Sequence, residues 1–227
     1  MVFLPALGMP CHLRKSFLPD RVACRNNLDS LDPRGLRPPK QRTTALNEEF
    51  WQRCDEAEVV RLISVFQEEV ESVYPCLDTE YMVAEAADIL TWGRVREDSA
   101  QADAPVEVQH LSFKDFQLAK VAIATAIVIE ANGRNENSTL MVESVERRVS
   151  RILKPKCDLK DLQLLVILSI YYFHCDEDLL AWRTIGIAAR EALVMGLHRK
   201  GTLLETFEEE KQRALATRIL TQSYRNR

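Results

Sequence analysis

The sequence is poor in glycine and lacks the short motifs that many enzymes use. Its 227 residues include only seven glycines, and no segment alternates apolar and polar residues between turns, which argues against a β-sheet. Glycine-rich phosphate loops and the G-x-S-x-G motif are absent. The longest apolar stretches, 121–129 and 162–173, fall short of the roughly 20 residues that span a bilayer. We therefore expect no catalytic residues and no membrane-spanning segment.

The six cysteines lack the spacing of a zinc site. They stand at positions 11, 24, 54, 76, 157 and 175, and no two of them form a C-x-x-C pair. Zinc ligands must converge to within about 2.3 Å of the metal, usually from short loops. Scattered cysteines are more typical of small buried side chains in a reducing compartment. The sequence thus predicts no metal ligands and no cofactor in this chain.

One polar run, 174–178, brings His, Cys and three acids together. It could supply metal ligands or a Cys–His nucleophile. Adjacent residues of one turn point in different directions, however, whereas a catalytic or metal site needs side chains that converge. Acids also favour the N-terminus of a helix, where N–H groups lack partners. We interpret the run as a helix cap and a turn.

The charge of the chain is unevenly distributed. The net charge is −4, but residues 1–46 hold eight Lys/Arg against three Asp/Glu, and six of the nine prolines lie within residues 1–39. Such a composition does not sustain helices or a core. We expect a flexible basic leader at 1–45, which is either an ordinary disordered tail or a segment for nuclear import or weak phosphate contact. A helical domain is expected at 46–227.

Apolar spacings of three and four predict an all-α fold, an antiparallel multi-helix array with a central helical hairpin. In the first and fifth of its helices, the inward faces are expected to include Val73 and Phe173. The hairpin joins the fifth and sixth helices. The predicted helices cover residues 55–74, 78–92, 112–131, 138–153, 159–173, 178–198 and 207–224.

The helix at 178–198 is expected to be a central helix of the core. One apolar row runs from Ala181 to Met195, and a second row, which includes Trp182 and Leu193, widens the face around much of the helix. Gly186 costs helix stability unless it allows a neighbouring helix to approach closely. Gly201 follows the helix, where a left-handed cap residue would stand.

Several segments of the chain together resemble the fungal-specific transcription factor domain, the middle region of fungal zinc-cluster transcription factors. The resemblance covers roughly residues 60–220. It rests on Phe66–Asp78, on Ile170-Tyr-Tyr-Phe-His174, and above all on Ala181-Trp-Arg-Thr-Ile-Gly-Ile-Ala-Ala-Arg190 and Ala192-Leu-Val-Met-Gly-Leu-His-Arg199. The residues that carry this signature are Trp182, Arg183, Gly186, Arg190, Gly196, His198 and Arg199.

The chain departs from that family at both ends. No six-cysteine zinc cluster precedes the domain, and Leu220-Thr221 stands where family members usually carry Phe-Trp. In the family, zinc and DNA reading belong to the cluster of the full-length protein. We therefore expect a domain that is incomplete at its C-terminus, in a chain that is a fragment, a truncated paralogue or a mispredicted gene product.

The resemblance implies a nuclear protein that regulates transcription and is not an enzyme. Its partners would be regulator proteins, in a homodimer or a heterodimer, or a small-molecule effector, and DNA would be reached only indirectly or weakly. Arg183 and Arg190 would either pair with acids of a neighbouring helix or line a cleft for an anionic effector. The alternative is a helical interaction module or decoy that pairs with a full-length regulator without contacting DNA.

The basic leader generates a prediction about DNA. We expect the full chain to bind a short duplex weakly and without sequence preference, with affinity that falls steeply between about 50 and 200 mM salt because the binding depends on counterion release. A mobility-shift titration at both salt concentrations measures this, and deletion of 1–45 should remove the residual shift. Tight binding that persists at the higher salt would contradict the prediction.

Overall fold

The structure is a computed structural model that describes residues 50–94, 111–152 and 157–225, without the side chains of 147–152 and 222–225. These ranges contain helices and no strand, which confirms the predicted all-α class. The predicted leader and most of the predicted loop at 94–111 lie outside them. The helices are α1 (Glu56–Phe66), α2 (Thr79–Ala84), α3 (Ala86–Arg94), α4 (Phe113–Glu130), α5 (Glu136–Ile152), α6 (Leu159–His174), α7 (Asp178–Val194), α8 (Lys200–Thr206) and α9 (Glu210–Arg225).

The core is built around α4 and α6. Every residue of α4 from Asp115 to Ala126 is buried, and so is every residue of α6 from Leu162 to Tyr172. A helix that is buried on all sides needs neighbours on all sides. In the described residues α4 contacts α1, α3, α5 and α6, while α6 contacts α4, α5, α7 and α9. The prediction that residues 178–198 form a central helix of the core is wrong, because α7 has large exposed residues such as Trp182 and Val194.

Crossed ion pairs join the N-termini of α4 and α6. Lys114 of α4 places its Nζ 2.6 Å from Asp158 Oδ2 and 2.9 Å from Asp161 Oδ2. In return, Lys160 Nζ of α6 lies 2.7 Å from Asp115 Oδ2, whose side chain is almost fully buried. Each helix thus supplies both a cation and an acid, so the two helix starts are fixed side by side.

The far ends of α4 and α6 also lie close together, so these two helices run parallel. Arg134 Nη1, just beyond α4, is 3.1 Å from Glu177 Oε1, just beyond α6. Consecutive helices run in opposite directions: α5 folds back along α4, where Lys120 Nζ donates to Ser144 Oγ at 2.7 Å, and α7 folds back along α6. The predicted antiparallel arrangement of the array stays a prediction, and it does not describe the central pair.

The helix starts lie where the sequence places them. The Asp158 carboxylate accepts the Asp161 N–H at 3.0 Å, and the Asp161 carboxylate accepts the Asp158 N–H at 3.1 Å. The two bonds make a complete capping box. The Ser112 hydroxyl accepts the Asp115 N–H at 3.2 Å, and the Asp78 carboxylate caps α2. Because capping needs only neighbours in sequence, these starts are predictable locally.

Two residues expected in the core are exposed. After α1 the chain makes a π-helical turn, Gln67–Glu71, in which the Ser72 N–H bonds to the Gln67 carbonyl five residues back. The wider turn changes the register of the following side chains, and Val73 is 47% exposed. Phe173 is 48% exposed because it lies in the last turn of α6, beyond the buried stretch. Both predictions of burial are wrong.

The sequence also missed a break and a short helix. The single helix predicted at 78–92 consists of α2 and α3, which are separated at Glu85, where φ is −96° and ψ is 18°. No helix was predicted for residues Lys200–Thr206, which form α8. Neither feature moves the core helices.

An aromatic cluster closes one end of the core. Trp51 and Trp92 both lie 5.9 Å from Phe116, measured between ring centroids, and Phe113 lies 5.5 Å from Trp92. Trp51 is 1% exposed and packs directly over the backbone of Gly93 in α3. A Cβ atom at Gly93 would lie 2.2 Å from Trp51 Cδ2. The indole therefore requires a glycine at this point.

We predict that Gly93→Ala strongly destabilises the domain. The methyl group must displace a buried indole ring, and overpacking of a core costs about 1–3 kcal/mol or more. Urea unfolding followed by circular dichroism measures the loss. Gly201→Ala is the matched control, because a Cβ at Gly201 meets nothing within 4 Å. Equal stability of Gly93→Ala and the wild type would contradict the packing of Trp51.

Candidate protein interaction surface

The turn between α6 and α7 is made by the acidic run that sequence analysis singled out. Asp176 adopts a left-handed conformation with φ of 59°, and Glu177 pairs with Arg134. Burial raises the pKa of the Cys175 thiol and lowers the pKa of His174, so burial disfavours the charged form of both groups. No group of three or more His, Cys, Asp or Glu side chains in the described residues could hold a metal ion. The interpretation as a turn agrees with this geometry, whereas the helix cap is not found, because Glu177 at the N-cap makes no side-chain cap hydrogen bond.

α7 packs against α6 and α9 through a single face. The buried residues of α7 are Thr184, Ile185, Ala188, Ala189 and Ala192. Small side chains dominate this face, so α7 can lie close to α6. The second apolar row was expected to be buried as well, but Trp182 is 61% exposed and Leu193 is 38% exposed. The expectation is wrong for these two residues because no described helix covers the opposite side of α7, but it is confirmed for Ala189 and Leu197, the other members of that row, which are buried.

The uncovered side is termed here the outer face of α7. At 100° per residue its members fall within a sector of about 120°. Its apolar side chains are large and exposed, and Val194 reaches 82%. The outer face consists of Leu179, Trp182, Arg183, Gly186, Arg190, Leu193 and Val194.

Arg183 and Arg190 are both exposed on this face. Sequence analysis offered two roles for them: pairing with acids of a neighbouring helix, or lining a cleft for an anion. In the part of the chain that the structure describes, neither arginine has an ion pair or a side-chain hydrogen bond. The intramolecular pairing is therefore not found there.

Gly186 lies at the middle of the outer face. It was expected to admit a neighbouring helix, but a Cβ at this position would meet only Arg190 Nη1, at 3.8 Å, among atoms within 4 Å. The close approach to α6 is provided instead by Ala188 and Ala189, which are fully buried. Gly186 leaves a shallow notch between the two arginines that faces away from the core.

The remaining signature residues form the turn after α7. The Gly196 N–H bonds to the Leu193 carbonyl, and the Leu197 N–H bonds to the Ala192 carbonyl, which is the Schellman pattern with Gly196 at φ of 72°. The helix thus ends at Val194 rather than at His198. Gly201, the expected cap, lies inside α8.

His198 and Arg199 follow this turn and are exposed. Arg199 Nε donates to His198 Nε2 at 3.2 Å. Four of the seven signature residues lie on the outer face of α7, namely Trp182, Arg183, Gly186 and Arg190. The other three belong to the turn that ends α7. Sequence reasoning missed Leu179 and Val194, because an apolar residue on a helix is ordinarily expected inside.

A second polar feature lies at the π-helical turn. Glu71 accepts the N–H groups of Cys76 and Leu77 at 3.0 and 3.1 Å, and burial raises the pKa of its carboxyl to about 7. An open cleft beside it is lined by Ser64, Gln67, Glu68, Glu71 and Ser72. Since Glu71 holds the turn between α1 and α2 together, we assign it a structural role.

The described chain is an all-α domain built on a buried helix pair, with one surface helix that is covered on one side only. Residues 110–221 match the family model described as Fungal specific transcription factor domain. This segment, which runs from α4 into α9, belongs to that family. The resemblance found in the sequence is thereby confirmed for this segment, while its extension to residues 60–109 stays a prediction.

Other comparisons add no relative. A search of curated proteins found no match for the chain, and a search of solved structures found none. Among the described helices, none combines the length and the apolar character that crossing a bilayer requires.

α7 and the turn that follows it generate a prediction about two glycines. Gly186→Ala should stabilise the domain by about 0.5–1 kcal/mol, because alanine favours a helix and its methyl group meets only a flexible guanidinium. Gly196→Ala should destabilise it by about 1 kcal/mol or more, since φ is 72° and the Cβ would lie 3.1 Å from Thr202 Cγ2. Urea unfolding of both variants is the measurement. Destabilisation by Gly186→Ala would mean that another helix covers this position.

Proposed function

We propose that this chain is a transcription-regulatory domain that acts in the nucleus through a partner and performs no catalysis. In this proposal it responds to a partner protein or an effector, forms a homodimer or a heterodimer with regulators, and carries no metal cofactor. Any contact with DNA is indirect or weak. The observation that carries the proposal is the family match of residues 110–221.

The outer face of α7 supports a partner protein more than a small effector. Sites for small molecules are concave and bury most of the ligand. Arg183 and Arg190 instead lie exposed along the outside of a surface helix, beside exposed apolar side chains. Large exposed apolar residues gathered on one face are typical of protein interaction sites. The geometry therefore favours regulation by protein contact.

Tethering to a promoter tests the proposal. We expect the full chain, fused to an unrelated DNA-binding domain, to change transcription of a reporter several-fold in a fungal host. Gly93→Ala in the same fusion is the control, because it should disrupt the packing of Trp51 and abolish the effect. A fluorescent fusion of the full chain should concentrate in the nucleus.

Co-purification identifies the mode of action. A tagged chain should retain a zinc-cluster regulator after the DNA has been digested with nuclease. Retention without any effect of the tethered chain would favour the decoy alternative. An inactive tethered fusion together with no associated regulator would refute both.

A further inference from the structure

The outer face of α7 has the composition of a surface that binds a helix. Its apolar members are Leu179 and Trp182 near the start of α7 and Leu193 with Val194 at its end, and they extend over about 22 Å of helix. Amphipathic helices bind to such surfaces through apolar residues at i, i+3, i+4 and i+7. The length matches four turns of a partner helix.

The two arginines specify the charge of that partner. Arg183 and Arg190 lie seven residues apart, which places their Cα atoms about 10.5 Å apart along the axis. Two carboxylates seven residues apart on a partner helix are separated by the same distance along its axis, so each guanidinium can bind one carboxylate at the same time. Guanidinium groups prefer carboxylates because they bind them in a bidentate manner. Neither arginine has an acid partner in the described residues.

Gly186 allows the partner backbone to come close. It lies between the two arginines, and its missing Cβ leaves a notch that only the flexible tip of Arg190 approaches. Small residues at a helix–helix crossing reduce the distance between the axes. The notch thus lies where the crossing of a bound helix would be centred.

A second copy of this chain does not fit the surface. A two-fold antiparallel pairing centred on Gly186 would place Arg183 of one copy beside Arg190 of the other, because their positions are almost equally distant from the centre. Two like-charged pairs would then face each other. Like charges across an interface cost binding energy, so self-association through the outer face of α7 in this arrangement is disfavoured.

We infer that the outer face of α7 binds an acidic amphipathic helix of a different protein. The bound helix packs an apolar stripe on Trp182, Leu179 and Leu193, and it carries carboxylates opposite Arg183 and Arg190. This inference rests on the proposed function only in making the partner a transcription regulator. The binding chemistry itself can be tested without any regulator.

The probe is a synthetic amphipathic helix of the same length as α7. It carries leucines at helical spacing on one face and two glutamates seven residues apart beside them, and a second peptide has lysines in place of these glutamates. Trp182 serves as the reporter, because Trp51 is buried and Trp92 is only partly exposed. Binding of the acidic peptide to the full chain should shift the Trp182 emission to shorter wavelength and protect it from quenching by acrylamide. Trp182→Phe should remove this signal.

Charge reversal provides the decisive comparison. Arg183→Glu and Arg190→Glu should each weaken binding of the acidic peptide severalfold, and the double variant at least about tenfold. The double variant should instead bind the lysine peptide. Lys200→Glu, an exposed substitution of equal charge outside this face, should leave the affinity unchanged. Circular dichroism confirms that the variants remain folded, which is expected because both arginines are exposed.

Four results would overturn the inference. They are equal affinity for the two peptides, no protection of Trp182 by either peptide, binding of anionic vesicles in preference to the acidic peptide, and a stable homodimer that buries Trp182. None of these results bears on the tethering experiment. A failure of this surface and a failure of the regulatory function are therefore distinguishable.

Discussion

The packing of α4 against α6 is the constraint on which the rest of the domain depends. Both helices are buried on nearly every side over three turns, so each must be surrounded by others. Crossed ion pairs between Lys114 and Asp158 and between Lys160 and Asp115 fix their starts at the same level. Because these two helices occupy the centre, each helix that contacts the pair is placed by the side that it covers.

That constraint explains why α7 has an uncovered face. α7 covers one side of α6 and, through Thr184 and four further residues, uses only one side of its own surface. Its other apolar residues then remain exposed, together with Arg183 and Arg190, which no described acid neutralises. Four of the seven signature residues and the surface available for a partner therefore belong to the same helix.

The helix starts and several buried positions were predictable, whereas the ends were less so. Asp158 and Ser112 cap their helices as expected, because a cap involves residues three positions apart. The end of α7 was misplaced because both Gly196 and Gly201 could terminate a helix, and only the backbone shows that Gly196 has the positive φ. The prediction that Val73 is buried was wrong because no residue type in the sequence indicates the π-helical turn that precedes it.

The sequence by itself determined the all-α class, the family of residues 110–221 and most of the helix starts, since these follow from short-range patterns. Only the tertiary structure decided which apolar face is covered. A helix such as α7 carries apolar side chains on two sides, and its own pattern cannot tell which side will find a neighbour. That neighbour, α6, is itself held in place by Lys114 and Asp115 more than 60 residues before Trp182, so the decision depends on contacts that local spacing does not contain.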